Sequence, residues 1–530
     1  MRSTPRRGKQ FDLTVKTESG MVSADKRLVN ALVKTPRDKN IVWIVDRKLR
    51  LGGFPEGDIM KRREFMQALL GLGAASLWPG RTDAAVAKTS RPTVLFIAID
   101  DLNHWVGYTG RNPQTRTPNI DRLSKMGVSF TNAHCAAPAC EPTRAALFSG
   151  MRPSTTGCYL NGHSWKKHVP EGISLNATFR KAGYYVAGMG KTYHSSAAKG
   201  MPSVYASGWD EYPPLPKPST GGAQKYQGYH VPLPLDMKDQ DLGDWHTTDF
   251  CIKQLKKKRD KPLFLACGLT KPHLPWAVPR KYYKMFPRDK IKLPPHITGD
   301  LDDIPPAGRK IGVRGDHPRF LKSGRWADAV QSYLATIAYT DMNVGRLLDA
   351  LEKSDHAGKT VIVLWGDHGW HLGEKERWRK FTLWEEATRA PLIWVIPGVT
   401  KAGAICKRPV DFMSIYPTLC EAAGIDIPDH VEGKSLRPLL TDPAAPWDGV
   451  AVCTHGYMNH AVRSERWRYI RYADGGEELY DHDNDPYEHT NLAKDPAHAK
   501  TKTDLAAHLP KKNIKSKGKT RKKVGNKKKK

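Results

Sequence analysis

Residues 93–101, TVLFIAIDD, carry the strongest fold signal in the chain. Seven aliphatic, aromatic or β-branched residues in an unbroken run predict a strand buried on both faces, and two carboxylates close it. Residues 327–353 instead carry apolar side chains at helical spacing. Similar short apolar runs recur along the chain, at 184–187, 263–269, 360–365 and 391–396. Strands that alternate with helices predict an α/β fold with a large, mainly parallel sheet flanked by helices.

The pattern changes after residue 398. A helix is expected near 414–423, and a hairpin turning at Asp474-Gly475 is expected within 465–480. The chain of 530 residues is long enough for more than one unit. We therefore predict a main α/β domain at 88–400 and a smaller C-terminal α+β subdomain at 401–509.

The composition excludes several classes of protein. Hydrophobic residues make up 39% of the chain, which is enough to build a core and excludes wholesale disorder. No apolar run reaches the roughly 18 residues of a membrane span, so an integral membrane protein is not expected. The 8 cysteines are too few for a disulfide scaffold, and none forms a C-x-x-C pair of the zinc-ribbon type.

The net charge of +31 is concentrated at the two ends of the chain. Residues 511–530 carry 12 Lys or Arg and no acid, and residues 1–90 carry 18 Lys or Arg against 9 Asp or Glu. A like-charged, low-complexity tail at 510–530 is predicted to be disordered, and it is either a solvated tail or a binder of polyanions. No helix-turn-helix, RRM or zinc-finger signature indicates specific nucleic-acid binding.

The segment 60–87 is typical of an export signal. Met60 is followed by Lys61-Arg62-Arg63, then by a mostly apolar stretch and the small-residue cleavage sequence Ala85-Val86-Ala87. The arginine pair indicates the twin-arginine type; the alternative is an ordinary amphipathic helix. We expect export to the periplasm or the cell exterior, with residues 1–59 a disordered, mis-assigned extension before the true start.

Polar side chains follow three of the predicted strands. They are Asp100 and Asp101 after the first, Lys271 and His273 after the third, and Asp367 and His368 after the fourth. Ligands of open α/β sheets bind beyond the carboxyl ends of the strands. Clustered carboxylates favour a hard cation such as calcium or magnesium. Taken singly, the Asp-Asp pair is equally compatible with a helix cap, and Asp-His-Gly with a turn.

Residues 140–144, Cys-Glu-Pro-Thr-Arg, form a C-x-P-x-R pattern within an ordered series of motifs. The others are P-N-I-D at 118–121, G-K-x-x-H at 190–194, K-P-H at 271–273, D-H-G at 367–369 and a final Lys380. Over residues 92–398 this series resembles the sulfatase family of the alkaline-phosphatase-like superfamily, most closely its iduronate-2-sulfatase-like members. The resemblance implies that fold, with an appended C-terminal subdomain.

The resemblance also implies a site. Cys140 would be converted to formylglycine by a formylglycine-generating enzyme, and its hydrated aldehyde would attack sulfur. Arg144 and Lys191 would stabilise the diol and the sulfate, His194 would act as base, and His273 and Lys380 would contact sulfate, with His273 the acid for the leaving alcohol. One divalent ion, usually Ca²⁺ in this family, would be held by Asp100, Asp101, Cys140, Asp367 and His368.

Two positions depart from the family pattern. Thr143 stands where serine is usual, and residues 374–380, EKERWRK, replace the usual E-H-G-x-W-x-K. The expected substrate is a sulfated glycan or a small sulfate ester. Two alternatives stay open at this point: a phosphoester hydrolase of the same superfamily, and a catalytically silent, secreted polyanion-binding protein.

Overall fold

The computed structural model describes residues 13–17, 20–24, 91–163, 165–194, 206–215, 236–312 and 314–517. The chain divides into two units, residues 1–88 and 89–530. In the first unit, β1 (Leu13–Thr17) pairs antiparallel with β2 (Gly20–Ala24), where the sequence predicts disorder. The expected export signal at 60–87 lies outside the described residues.

The second unit is an α/β sandwich, and its strands and helices are as follows. The strands are β3 (Thr93–Ile99), β4 (Val128–Phe130), β5 (Ala133–His134), β6 (Tyr185–Gly190), β7 (Leu263–Leu269), β8 (Thr360–Gly366), β9 (His371–Leu372), β10 (Trp378–Arg379), β11 (Leu392–Val395), β12 (Ala404–Cys406), β13 (Val410–Asp411), β14 (Ala451–Thr454), β15 (His460–Arg463), β16 (Trp467–Arg471) and β17 (Glu477–Asp481). The α-helices are α1 (Pro118–Met126), α2 (Cys140–Ser149), α3 (Pro153–Thr156), α4 (Trp165–His168), α5 (Leu175–Lys181), α6 (Gly243–Lys256), α7 (Arg280–Lys284), α8 (Pro306–Lys310), α9 (Asp316–Ser323), α10 (Trp326–Glu352), α11 (Glu385–Thr388), α12 (Ile415–Ala422), α13 (Arg437–Thr441) and α14 (Ala499–Ala506).

Seven strands form the central sheet, in the order β12-β4-β11-β8-β3-β7-β6. Strands β8, β3, β7 and β6 run parallel to one another, and β11 is antiparallel to its neighbours β8 and β4. The predicted mainly parallel sheet is therefore confirmed. Because β12 lies beyond residue 400 and still pairs with β4, the large sheet extends past the predicted subdomain boundary.

The central strand β3 is buried on both faces, as its unbroken apolar sequence predicts. Phe96 packs its ring against those of Phe148, Phe264 and Trp365 on one face. The alternate residues of β3 face a second core, which includes Tyr333 of the long helix α10. Helices thus cover both faces of the sheet, and the polar residues Asp100 and Asp101 follow the end of the buried strand β3.

A second sheet of four antiparallel strands, β14-β15-β16-β17, forms the predicted C-terminal α+β part. Arg468 on β16 joins it to the main domain through a buried ion pair with Glu385 of α11, and Arg468 also pairs with Glu488 of the C-terminal part. The turn predicted at Asp474-Gly475 connects β16 to β17, with Gly475 at a φ of 89°. No helix in the described part of the chain is long and apolar enough to cross a membrane.

The start of the basic tail is ordered, which differs from the predicted disorder of 510–530. The Ile514 N–H donates to the Ser154 carbonyl at 2.8 Å, and the Tyr159 hydroxyl donates to the Ile514 carbonyl at 2.8 Å. Local composition predicts disorder for this stretch, but these tertiary hydrogen bonds hold it. Residues 518–530 lie outside the described residues.

We expect the buried ion pairs of Arg468 to contribute strongly to stability. The variant Arg468→Met leaves Glu385 with Arg463 and Glu488 with His482 as remaining partners. Breaking the buried pairs of Arg468 should lower the free energy of unfolding by up to about 3–5 kcal/mol. Lys434→Met, which removes the exposed pair with Asp448, is the matched control and should change stability little. Urea denaturation measures both; equal effects would contradict a stabilising role for the Arg468 pairs.

Candidate active site

The carboxyl ends of β3 and β8 bring four polar side chains to one edge of the sheet. The two strands pair in parallel with Ile99 opposite Gly366, so Asp100 and Asp101 emerge beside Asp367 and His368. The Asp101 N–H donates to Asp367 Oδ1 at 2.9 Å. All four side chains are fully buried. The structure thus brings the predicted metal ligands together.

Cys140 is the first residue of α2 and lies within the same cluster. Its Sγ is 2.9 Å from Lys380 Nζ, 3.4 Å from His368 Nε2, and 3.8 Å from both Asp101 Oδ1 and Lys191 Nζ. The first position of a ten-residue helix adds a favourable field for negative charge. Burial and then the Asp100 carboxylate raise the pKa of the Cys140 thiol well above its usual range, so an unmodified Cys140 is a neutral thiol here.

Three cations balance the buried carboxylates. Lys191 pairs with Asp100, Lys380 pairs with Asp101, and Arg144 Nε donates to Asp367 Oδ2 at 2.9 Å. Burial raises the pKa of the Asp100 carboxyl, but the Lys191 ammonium and other nearby cations outweigh it and lower that pKa well below the usual range. Burial and then Asp100 raise the pKa of Asp367 to about 7. The site therefore holds several buried charges of both signs, and their pairing with one another stabilises them.

The donor set fits a divalent cation. Ligand atoms of Asp100, Cys140, Asp367 and His368 lie within 4.8 Å of one another, and Asp100, Asp101, Cys140 and His273 form a second such group. Asp100 Oδ1 and Asp101 Oδ2 are buried and have no hydrogen-bond donor among the described residues. Buried carboxylate oxygens without a donor are costly unless a cation satisfies them. Hard oxygen ligands suit calcium or magnesium.

The two predicted proton-transfer histidines lie at the edge of this cluster. His273 Nε2 is 3.9 Å from carboxylate oxygens of both Asp100 and Asp101, and its side chain is 33% exposed. His194 follows β6 and is partly buried. Burial first, and then the Lys191 charge, lower the pKa of each to about 4. Both imidazoles are therefore neutral at pH 7, whereas the family resemblance implies that His273 acts as an acid.

Lys271 does not join the cluster, although its position after β7 suggests that it would. Its ammonium donates to the Pro275 carbonyl and, at 3.3 Å, to the His273 carbonyl. Lys271 thus shapes the loop that carries His273 and stays outside the charged site.

Two supporting residues are not evident from the sequence motifs. Asp244 on α6 accepts the Thr270 and Lys271 N–H groups at 2.8 and 2.7 Å and so holds the His273 loop. Tyr333 on α10 donates its hydroxyl hydrogen to the Asp101 carbonyl at 2.7 Å. This hydrogen bond helps to hold Asp101 at its positive φ of 60°. Neither lies in a motif, and only the fold places them beside the site.

The divergent loop 374–380 still delivers Lys380 to the site. Lys375 and Glu376, which replace the usual histidine and glycine, adopt positive φ values of 52° and 50°. The buried Lys375 ammonium is 2.9 Å from Asp300 Oδ1. This ion pair holds the loop from its other side, and Lys380 reaches Asp101 and Cys140 despite the altered sequence.

Comparison with known proteins identifies this arrangement. Residues 92–425 match the family described as Sulfatase, and residues 366–515 match the family described as N-sulphoglucosamine sulphohydrolase, C-terminal. The chain belongs to the sulfatase family. This sulfatase is therefore a sulfuric ester hydrolase, and the family predicted from the motif series is confirmed.

Curated relatives agree with this assignment. A sulfatase of Formosa agariphila is 37% identical over 473 residues, which cover 86% of this chain and 93% of the relative. Iduronate 2-sulfatase of Homo sapiens is 30% identical over 437 residues, which cover 69% of this chain and 78% of the relative.

Solved structures share the fold of this sulfatase. A structure in complex with its substrate D-glucosamine-2-N,6-O-disulfate superimposes with a TM-score of 0.63 at 23% identity, covering 79% of this chain and 96% of that chain. A phosphonate monoester hydrolase of Agrobacterium radiobacter superimposes with a TM-score of 0.67 at 22% identity, covering 79% and 94%. At this level of identity the likeness establishes the fold alone.

The two buried lysines of loop 374–380 should differ sharply in function. Lys380→Met removes the ammonium that contacts Cys140, and loss of one such charge stabiliser lowers kcat by about 100-fold or more. Lys375→Met removes an equally buried ammonium that pairs with Asp300, so it should lower the melting temperature while kcat stays within a few-fold. Hydrolysis of 4-nitrophenyl sulfate and thermal melting measure the two effects; equal losses of kcat would contradict a direct role for Lys380.

Proposed function

We propose that this sulfatase hydrolyses sulfate esters of a carbohydrate, with formylglycine at position 140 as nucleophile and one divalent cation beside it. The position of Cys140 carries this proposal: its Sγ lies within 4 Å of two ammonium groups, an imidazole and a carboxylate. Relatives named iduronate 2-sulfatase, ulvan-active sulfatase and delta 4,5-hexuronate-2-O-sulfatase support a carbohydrate substrate.

A thiol alone is poorly suited to this site. Its pKa is raised, so it is not a thiolate at neutral pH. When present, an aldehyde hydrate supplies one hydroxyl oxygen to attack sulfur and a second whose collapse expels sulfate and restores the aldehyde. Conversion of Cys140 replaces its –CH₂–SH group by –CHO: dioxygen is the oxidant and supplies the aldehyde oxygen, and the sulfur leaves as sulfide. We propose a formylglycine-generating enzyme as the partner that carries out this two-electron oxidation.

The cations of the chain match the charge of a sulfate ester. The negative charge of the ester is spread over its oxygens, and Lys191, Lys380 and Arg144 concentrate three positive charges around position 140. Fixed positive groups in a buried site stabilise developing negative charge more than water does. Asp100, Asp101, Asp367 and His368 would hold the cation, which when bound adds a further positive charge next to the sulfate.

The two histidines suit two different proton-transfer roles. The neutral His194, close to Lys191, is the proposed base that takes a proton from the nucleophile. His273, part-exposed at the mouth of the cluster, is the proposed donor to the leaving alcohol. Since its pKa is lowered to about 4, His273 must first gain a proton when the anionic ester binds beside it.

The family assignment favours sulfate over phosphate as the reacting group. The fold shared with a phosphonate monoester hydrolase does not separate the two, because fold alone does not define chemistry. A C-x-P-x-R cysteine, which supplies the formylglycine, is the feature that supports sulfate ester hydrolysis.

Mass spectrometry of the peptide that contains Cys140 tests the nucleophile. In the active enzyme we expect a loss of about 18 Da at Cys140, which corresponds to cysteine converted to formylglycine, and no change at Cys135. Cys140→Ala should abolish hydrolysis of 4-nitrophenyl sulfate. Cys135→Ala, which alters a buried thiol 3.8 Å from that of Cys453, is the control and should retain it. Equal activity of wild type and Cys140→Ala would overturn the assignment.

N-terminal sequencing of the mature protein tests the proposed export. Cleavage near Ala87 would support a periplasmic or extracellular enzyme with residues 60–87 as its signal. A mature product that begins at Met1 would contradict it.

Calcium binding can be tested without an activity assay. Calcium at 100 times its Kd should stabilise the chelator-treated protein by about 2.7 kcal/mol, seen as a higher melting temperature. Asp101→Asn should lose this shift because it removes a buried carboxylate of the site. Asp300→Asn, a buried carboxylate paired with Lys375, should keep it. A full calcium shift in Asp101→Asn would place the cation elsewhere.

A further inference from the structure

We propose that Phe381 and Tyr457 form an aromatic platform beside the charged cluster around Cys140, and that this platform stacks on the apolar face of the sugar ring of the substrate. The inference deepens the proposed function and rests on it, because such a platform needs a carbohydrate ester as substrate. Three observations carry it: the position of Phe381 next to the cluster, the exposed apolar turn that carries Tyr457, and the hydrogen bonds that hold that turn.

The Phe381 ring lies close to the reacting centre. Lys380 Nζ, which is 2.9 Å from Cys140 Sγ, is 5.8 Å from the centre of the Phe381 ring. The Phe381 N–H donates to the carbonyl of Pro138, two residues before the nucleophile, at 3.1 Å. Lys380 is buried, whereas Phe381 is partly exposed. Phe381 is therefore open to solvent next to an ammonium group that is proposed to bind sulfate.

The turn between β14 and β15, residues 455–459, adjoins Phe381. The centre of the His455 ring is 6.1 Å from that of the Phe381 ring. The Thr454 N–H, just before the turn, donates to the Ala136 carbonyl at 2.9 Å. The C-terminal part thus places this turn beside the loop that leads to the nucleophile.

Tyr457 contacts the segment that follows the nucleophile helix. Its ring packs edge to face on that of Tyr159, with 6.1 Å between the centres. In the same segment, Asn161 Oδ1 accepts the Glu141 N–H at 2.9 Å, and Glu141 directly follows Cys140. The two proposed platform rings are therefore tied to the chain on either side of the nucleophile in sequence.

The turn exposes apolar side chains to solvent. Tyr457 is 37% exposed, and its neighbour Met458 is 42% exposed. Adjacent exposed apolar side chains mark binding surfaces. The face of an aromatic ring carries partial negative charge, so it attracts the C–H groups on the apolar face of a pyranose. A sugar ring whose sulfate binds at Lys380 fits this surface in both position and chemistry.

The platform is held in a fixed and unusual backbone conformation. The His455 N–H donates to the Asn459 carbonyl at 3.0 Å, Asn459 Nδ2 donates to the His455 carbonyl at 2.9 Å, and the Ala473 N–H donates to Asn459 Oδ1 at 2.9 Å. Met458 and Phe381 have φ values of 59° and 77°, which few residues other than glycine adopt. Strain of this kind is concentrated at ligand sites, and a preorganised surface loses little entropy on binding.

Competition with 4-nitrophenyl sulfate tests the platform in the full-length enzyme. Its hydrolysis is inhibited with inorganic sulfate and with three sulfated sugars: hexuronate 2-sulfate, glucosamine 6-sulfate and galactose 4-sulfate. Each Ki is obtained with the KM of the same protein. The variants are Tyr457→Ala, Phe381→Ala and Tyr457→Phe. The matched control is Ile405→Ala, which truncates a similarly exposed apolar side chain on the edge strand β12.

We expect at least one sugar to bind the wild type about tenfold or more tightly than inorganic sulfate does, because stacking adds to the charge contacts. Tyr457→Ala and Phe381→Ala should each raise the Ki of that sugar about fivefold and leave the Ki of inorganic sulfate within about twofold. Tyr457→Phe, which keeps the ring, and Ile405→Ala should leave both values near those of the wild type.

Two results would overturn the platform: a wild type that binds no sugar more tightly than inorganic sulfate, or alanine variants that behave like Ile405→Ala. Absence of 4-nitrophenyl sulfate hydrolysis in every protein would instead count against the proposed function. Calorimetric titration of the same sugars and of inorganic sulfate into the same proteins would then still decide whether the platform binds a sugar ring.

Discussion

The carboxylates of Asp100, Asp101 and Asp367 are fully buried in one cluster, and the architecture of the site follows from the cost of that charge. Three negative groups this close repel one another strongly in a medium of low dielectric constant. Arg144, Lys191 and Lys380 offset the repulsion, and within the described part of the chain two carboxylate oxygens still lack a hydrogen-bond donor. A cluster of this kind could hold a metal ion.

The parallel sheet lowers the conformational entropy that is lost when these side chains are brought together. Rigid strands deliver Asp100, Asp101, Asp367 and His368 from one edge, so few side-chain rotations have to be fixed. Residues from loops need further support. Asp244 holds the His273 loop through backbone N–H groups, and the Lys375–Asp300 ion pair holds the loop that carries Lys380.

Long apolar runs made the main strands of the sheet predictable, and the ordered series of motifs made most residues of the site predictable. The run 93–99 matches β3 residue for residue. A strand buried on both faces consists of apolar or β-branched residues throughout, so its end is recognised where the charged residues begin. Short strands such as β12 escaped prediction, since three residues carry no periodicity. The direction of Lys271, the lowered pKa of His273 and the anchoring of 511–517 depend on distant partners that sequence spacing does not reveal.

The complete burial of Cys140 constrains the order of events in the life of the enzyme. The proposed modifying enzyme would have to reach the thiol, which is fully buried in the folded chain. If the conversion takes place as proposed, it must therefore precede the closure of the fold, while the nascent chain is still open. Export of an already folded protein would then leave the modification to the cytoplasm, before translocation begins.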